Sequence, residues 1–478
     1  MRGKINVRLS IAAIVAACIL PQTITLNGFF VIDDIKAAIA GIHPEQFPIF
    51  FDPVSIRSAF FRPLFTVANR FDGMIWGANP IGYHITNIVL FICVALSVFW
   101  LLRKRFDDYT AFVSALIVVV HPIHAGTVAW ISGRVDILPG LFMSLSLLLL
   151  FDYRHKKLHL FSAHALFAAA LFAKEVAVAT PFVYVAYLII VEKKSAKSAL
   201  RSSSAMLAIL TVYIGARIAF DYLPHNNFYS PLSTNFKGYI GNALVFAANI
   251  VYIFIPFYNP TIFFGNLASG TCERTVCIVY LILCLAGVST ALYFLFRPNR
   301  QSDDFRLAAF GAVWIFLVAA PTFHVFRNTG GSRYLFPAMP AMAILIGVIV
   351  KTAIKSYGEI LVRRIVIAFI AVLVLNTVVE LARWKKAMDT AELVAKKTVE
   401  CAGNDMSTLA IYDFPSQGKQ IDPFPAFDNY SIPLSYHVLT GNPATKIIML
   451  RNNPREICGR ERVRCVSYAK LIDGHCGE

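Results

Sequence analysis

Four short stretches of this sequence gather side chains that can do chemistry. The first is Phe29-Phe30-Val31-Ile32-Asp33-Asp34, two adjacent carboxylates directly after an apolar run. Adjacent carboxylates repel, so one of them is expected to bind its proton more tightly and to suit general-base work. The same pair, Asp33 and Asp34, can share a divalent cation such as magnesium or manganese. It can equally open a helix running through Ile35 to Ala40, since acidic residues favour a first turn. The second stretch is His121-Pro122-Ile123-His124 with Trp130-Ile131-Ser132-Gly133-Arg134-Val135-Asp136. Histidines can ligate metal, although Pro122 disturbs helical spacing here, and His and Trp are also common where a span meets the interface. Arg134 and Asp136 can pair with each other. The third is Lys174-Glu175, which interrupts the apolar run 165–190. Charges at a membrane edge tend to face a cavity or a lipid headgroup. The fourth is Arg327-Asn328-Thr329-Gly330-Gly331-Ser332-Arg333-Tyr334-Leu335-Phe336-Pro337. Its glycines make a pliable turn. Arg327 and Arg333 carry forked donors that match phosphate; an interfacial Arg–Tyr anchor is the plainer reading.

The elements that must position these groups are membrane spans. Of the 478 residues 57% are hydrophobic and 15% charged, more apolar and less charged than a soluble domain. The excess falls in about eleven apolar blocks, read with approximate ends as crossings of a hydrocarbon core of roughly 30 Å. The first runs over 8–26. Others lie near 83–102, 110–121, 137–151, 160–173, 176–191, 205–220, 276–296, 307–323, 335–350 and 365–381. The expected architecture is therefore an all-α polytopic membrane domain over 1–381, with a first outer loop at 27–82. A small extracytoplasmic domain of α/β type is expected over 382–478. Val15-Ala16-Ala17-Cys18 resembles a lipoprotein cleavage box, but the apolar run continues beyond it, so an uncleaved first span is expected.

The net charge of +16 would suggest nucleic acid in a soluble protein. Here the basic residues cluster between apolar blocks, at 103–105, 154–157, 193–197, 297–300, 351–355 and 363–364. That is the positive-inside pattern, and it excludes a nucleic-acid reading. With the N-terminus inside, every cluster falls inside provided Tyr239 to Phe264 enters and returns, or lies along the interface; Pro256 and Pro260 permit such a break. All four chemical stretches then fall on the outer face. So do Cys272, Cys277, Cys401, Cys458, Cys465 and Cys476, an even number on an oxidising side, as disulfides require. Cys272 and Cys277 are close enough to pair. The four later cysteines allow three pairings. A zinc site would want a second tight cysteine pair, which is missing. Asn429-Tyr430-Ser431 is an acceptor triplet for glycosylation on the same side.

The sequence resembles the multispanning C-type (GT-C) glycosyltransferases that use lipid-phosphate sugars. It looks most like the membrane part of the transmembrane and TPR-repeat O-mannosyltransferases and their bacterial relatives. The matching pieces are Val31 to Asp34, Arg62-Pro63-Leu64, Tyr83-His84-Ile85-Thr86-Asn87, His121 to His124 with Val128 to Asp136, Ala173-Lys174-Glu175, and Ser332 to Pro337. The C-terminal piece carries no TPR pattern, and glycine and alanine follow His124 where the family has an acidic residue. The resemblance implies an inverting transfer of a sugar, mannose among the candidates, from a polyprenyl-phosphate carrier to a hydroxyl of a protein or glycan. Asp33 or Asp34 would be the base. Arg62, Arg134, Lys174 and Arg333 would neutralise the leaving lipid phosphate. His121, His124, Asp136, Glu175 and Tyr334 would support the acceptor side. The missing TPR pattern and the short outer domain point to a bacterial inner membrane with a periplasmic site; in a eukaryote the membrane would be that of the ER. A transporter or flippase should show paired halves and midplane charges, which the sequence lacks. A non-catalytic scaffold would need no acidic pair.

Overall fold

The structure, a computed structural model, describes residues 6–42, 61–219, 236–254, 289–297, 302–325, 332–402, 408–412, 447–449 and 463–473, with 286, 299, 439–440 and 476. Over these residues the helices are α1 (Val7–Ile19), α2 (Asp34–Ile42), α3 (Pro63–Trp76), α4 (Pro80–Arg103), α5 (Asp108–Val119), α6 (Ala125–Ala129), α7 (Arg134–Asp152), α8 (Lys157–Ala173), α9 (Thr180–Ile190), α10 (Ala196–Ser202), α11 (Ser204–Ala219), α12 (Phe236–Phe254), α13 (Asp303–Ala319), α14 (Met339–Tyr357), α15 (Glu359–Ala402) and α16 (Tyr468–Ile472). The strands are β1 (Thr408–Tyr412), β2 (Ile447–Met449) and β3 (Val463–Ser467).

Side-chain caps set many of the starts. Asn6, Asn79, Asp107, Ser195 and Ser302 each accept a hydrogen bond from an amide of the first turn they open. Such caps satisfy donors that would otherwise be stranded. Pro63 and Pro80 stand at first helical positions, where their missing N–H costs nothing.

Among the described residues six helical stretches are long and apolar enough to span a membrane, or up to eight if each of two bent pairs is one span. The bent pairs are Asp108–Val119 with Pro122–Ala129 and Ala196–Ser202 with Ser204–Ala219. Lys157–Ala173, Glu175–Ile190 and Val245–Phe254 are shorter apolar helices. Part of the expected span at 276–296 lies outside the described residues. So does 255–264; what precedes it is one helix, α12, packed by Phe246 on Phe316 of α13.

Two elements differ from a plain reading of apolar blocks. The loop expected over 27–82 contains α2 and α3. The last long helix, α15, has 44 residues, about 66 Å at helical rise. It runs without a break from the bundle to the C-terminal region. There β2, β1 and β3 form a parallel sheet in that order, with Leu409 opposite Ile447 and Ala410 opposite Cys465. Cys401 at the end of α15 is disulfide-bonded to Cys476. Cys465 is also disulfide-bonded. Cys272, Cys277 and Cys458 lie outside the described residues.

The core has two parts. One fills the bundle, around Phe99, Phe167, Phe310, Trp314 and Met342. The other joins Phe29, Phe30, Val31 and Ile35 to Tyr83, Trp130, Trp384 and Met388, and continues to Leu409, Ile411 and Val466 of the sheet. This second core holds the segment bearing Asp33 and Asp34 against α4, α15 and the sheet.

The helices also sort the charges. α4 starts near Tyr83 and Asn87 and ends at Arg103. α7 starts at Arg134 and ends at Asp152. α14 follows the turn Ser332–Ala338 and carries Lys351 and Lys355 towards its end. Arg103 meets Asp108, Arg105 meets Asp152, Arg154 meets Glu192, and Lys351 and Lys355 meet Asp304. These basic groups therefore share the end of the bundle opposite Arg134, Asp136 and Arg333.

Candidate active site

Val31 to Asp34 is held in a constrained turn. Ile32 has φ +50°, a left-handed conformation that costs a β-branched residue energy and needs surrounding structure to hold it. Asp34 opens α2 and is fully buried. Its Oδ1 accepts from the Ser132 amide at 2.7 Å and its Oδ2 from the Val31 amide at 3.2 Å. Burial pushes the Asp34 carboxyl up to about 7, against these hydrogen bonds, which lower it; the charge of Asp33 adds to the rise. Asp33 is only half-buried. The adjacent acids thus stand in different surroundings, Asp34 anchored and enclosed, Asp33 half-buried.

Ser132 belongs to the stretch Trp130–Asp136, a short 3-10 turn (Ile131–Gly133) that runs into α7. Gly133 is required by contact, since a Cβ there would lie 2.1 Å from the carbonyl oxygen of Thr127. Successive residues of this stretch serve different partners. Trp130 lies under the Arg333 guanidinium, 4.9 Å from its ring centre. The Ser132 amide holds Asp34. Asp136, fully buried, pairs with Lys174.

Arg134 is enclosed and its donors are used. Nε donates to Asn87 Oδ1 at 2.9 Å, Nη1 to Asn69 Oδ1 at 3.2 Å, and Nη2 to the Tyr83 carbonyl at 3.2 Å. Nη2 also meets Asp72 Oδ2 at 2.5 Å, and Thr86 donates to the other Asp72 oxygen at 2.7 Å. Expected to face a phosphate, this guanidinium instead ties α7 to α3 and α4.

The other expected cations do come together. Arg62 forms a forked pair with Glu175, Nη2 to Oε1 at 2.6 Å and Nε to Oε2 at 3.1 Å. Next in sequence, Lys174 reaches Asp136 and lies 4.6 Å from the Tyr334 ring centre. Arg333 stacks on Trp130 and on Tyr334, whose hydroxyl accepts from Nη2 at 3.3 Å. Its buried Nε has no hydrogen-bond partner in the structure. Ring faces hold a cation without consuming its donors. Among the described residues, three cations, Arg62, Lys174 and Arg333, gather with two carboxylates, Glu175 and Asp136. Arg327 lies outside the described residues.

His121 and His124 are buried deeper in the bundle. His121 accepts from the Ile123 amide at 3.1 Å, its ring against Tyr252; His124 packs edge-on against Phe336 at 5.2 Å. Among the described residues no three His, Cys, Asp or Glu side chains gather as a metal centre requires. Both Asp34 oxygens accept main-chain amides, a donor set suited to an anchored anion rather than to the several oxygen ligands of a hard cation.

Reasoning from residue types passed over several participants. Asn69 and Asp72 sit three apart on the buried face of α3, and that spacing was the available signal. Arg217, in the last turn of α11, bonds the Tyr213 hydroxyl at 2.9 Å and lies over Phe61, beside Arg62. Only an isolated cation at the end of an apolar helix marked it.

The family model for dolichyl-phosphate-mannose-protein mannosyltransferase matches residues 63–217. Protein O-mannosyl-transferase TMTC2 of Mus musculus is 40% identical over 90 residues, 18% of this chain and 11% of that protein. Protein O-mannosyl-transferase TMTC1 of Mus musculus is 32% identical over 140 residues, 26% of this chain and 15% of that protein. The matches thus span a small part of those relatives' length. The crystal structure of ArnT from Cupriavidus metallidurans bound to undecaprenyl phosphate matches in fold, with a TM-score of 0.51 at 14% identity, over 92% of this chain and 89% of that one.

Proposed function

We propose that this relative of the TMTC O-mannosyltransferases, with its GT-C-type membrane fold, transfers a sugar from a polyprenyl-phosphate carrier to a hydroxyl of a protein or glycan. The observation that carries the reading is the stretch Trp130–Asp136. Through it a buried carboxylate, a stacked arginine and a paired lysine are fixed at one end of a membrane bundle. A base must reach its proton before its acidity matters. By that criterion Asp33, the more open acid, takes the proton from the acceptor hydroxyl as it attacks the anomeric carbon, and configuration inverts. Asp34 fixes the turn that presents Asp33. The anomeric carbon–oxygen bond breaks and the lipid phosphate leaves with added negative charge. Arg333, with an unfilled donor, receives it, while Arg62 and Lys174 supply the surrounding positive field. Arg134 acts as a strut.

The basic groups at the far end of the bundle support placing this site on the non-cytoplasmic face. In a bacterium that is the periplasmic side of the inner membrane; in a eukaryote it is the ER lumen. ArnT with undecaprenyl phosphate and the mannosyltransferase relatives support a lipid-linked donor and mannose as the first sugar to test.

The test is turnover of a short-chain polyprenyl-phosphate mannose by the full chain in nanodiscs, with a serine- and threonine-rich peptide as acceptor. Asp33→Asn should lower kcat by about 10²–10⁴-fold without disturbing folding. Arg333→Ala should act on donor KM as well as kcat. Wild-type turnover in Asp33→Asn would sink the reading.

A further inference from the structure

Asn87 is fully buried on α4, and each of its polar atoms is engaged. Its Nδ2 donates to the carbonyls of Val128 at 3.3 Å, Trp130 at 3.0 Å and Ile131 at 3.1 Å. Its Oδ1 accepts from Arg134 Nε at 2.9 Å. A short neutral side chain with two donor hydrogens and an acceptor is what this position requires. The carbonyls it holds lie immediately before Ser132, and Arg134 lies two residues after it. Asn87 therefore grips both flanks of the one amide that reaches Asp34 from another element. One turn earlier on α4, Tyr83 offers its carbonyl to the same guanidinium, and His84 Nε2 lies 3.1 Å from the Gly28 carbonyl, on the approach to the acidic turn.

We propose that Asn87 is a positioning residue for the acidic pair: by fixing the Val128–Ile131 carbonyls and Arg134 it sets where the Ser132 amide meets Asp34, and so where Asp33 meets the acceptor. The proposal rests on the glycosyltransferase reading above. Asn87 touches neither donor nor acceptor. Its effect falls on the geometry of the proton-accepting side, and a displacement of about 1 Å there is enough to cost on the order of a hundredfold in rate. Arg333 stacks on Trp130, whose carbonyl Asn87 holds, but it also keeps its stack and hydrogen bond on Tyr334, and the Arg62–Glu175 fork is made without Val128–Ile131, so donor binding is expected to suffer less than kcat.

The experiment measures kcat and donor KM separately, with the same short-chain mannosyl donor and peptide, in nanodiscs, per folded molecule. Asn87→Ala is expected to lower kcat by roughly 10- to 100-fold while donor KM stays within about threefold. Asn87→Gln, which keeps both donor and acceptor on a longer arm, should recover part of that loss. Should Asn87→Ala fail to fold, Asn87→Ser and Asn87→Gln carry the test. A folded variant lacking the amide that turns over at the wild-type rate overturns the proposal. So does a loss of stability in every variant with unchanged kcat in the folded fraction, or a rise in KM that matches the fall in kcat. Asp33→Asn run in parallel separates the two levels. If it is inactive while Asn87→Ala is normal, only the Asn87 proposal falls; if it is fully active, the glycosyltransferase reading falls first.

Discussion

Arg154 meets Glu192 at 2.6 Å at one end of the bundle, and Arg134 meets Asp72 at 2.5 Å at the other. The distances are alike and the surroundings are not. The Arg154 and Glu192 side chains keep about a fifth of their surface open, 21% and 19%. Arg134 keeps none and Asp72 4%. Lys174 and Asp136 repeat the enclosed case, while Lys355 with Asp304 and Arg363 with Glu359 repeat the open one. An exposed pair exchanges water for partner with little net gain. An enclosed charge has no water to return to once its partner is removed. An open pair, as at Arg363, leaves its cation to serve as a count that orients the chain in the membrane, and an enclosed pair, as at Arg134 and Lys174, makes it a fixed part; Arg105–Asp152 at the far end (8% and 15% exposed) and Arg62–Glu175 at the near end (15% and 25%) lie between.

Breaking one pair at each end puts that comparison to the test. Arg134→Met should cost about 3–5 kcal/mol, because it strands Asp72 together with Asn69, the Asn87 oxygen and the Tyr83 carbonyl. Arg154→Met should cost no more than about 1 kcal/mol. Thermal unfolding in one detergent reads both. Equal losses would mean that burial does not divide the two ends.

How much of this the sequence disclosed follows from the same division. Of the about eleven expected spans, six, or up to eight with the bent pairs, stand among the described residues, legible because their signal is local, a run of apolar residues between basic clusters. Asp33, Asp34, Lys174 and Arg333 were legible because charges beside such runs stand out. Which cation pairs with which carboxylate was not legible. The Arg62–Glu175 fork joins residues 113 apart in sequence, and α3 together with the turn before α9 decides it. The unequal surroundings of Asp33 and Asp34 were hidden for the same reason, since the Ser132 amide arrives from 98 residues away. Asn87 reads as one more polar residue in an apolar helix until the carbonyls it holds are seen.

Asp34 offers a sharper test through pH. Its folded-state carboxyl is raised to about 7, chiefly by burial. An unfolded aspartate titrates near 3.9. The folded state therefore holds the extra proton, so the contribution of Asp34 to stability is full below the unfolded value and is lost as pH rises through about 7. Turnover should move the other way, because the ionised carboxylate is the form that accepts both amides. Melting temperature is expected to fall, and kcat to rise, across pH 5.5–8 in wild type. In Asp34→Asn the Asp34 part of the stability slope should vanish, while the charges nearby, Asp33 and Arg134, remain. A wild-type melting slope that persists unchanged in Asp34→Asn would remove Asp34 as its source.

The smallest effect is expected at the open end and is informative for that reason. Arg363 and Glu359 form an i,i+4 pair at 2.9 Å with about half of each side chain exposed, 55% and 46%. Such a pair contributes roughly 0.3–0.5 kcal/mol. Replacing Arg363 and Arg364 together with Ala should leave melting within about that range and turnover unchanged in correctly inserted molecules. What the change removes is two positive charges from the first turns of α15, next to its junction with α14, and charge beside a span end biases orientation during insertion. The consequence should appear in the fraction of molecules whose Cys401–Cys476 disulfide forms, read by thiol labelling of membranes before extraction, because misoriented chains would keep both thiols in a reducing compartment. A large fall in melting temperature instead would mean that the far end also relies on fixed pairs, and the distinction between the two ends would dissolve.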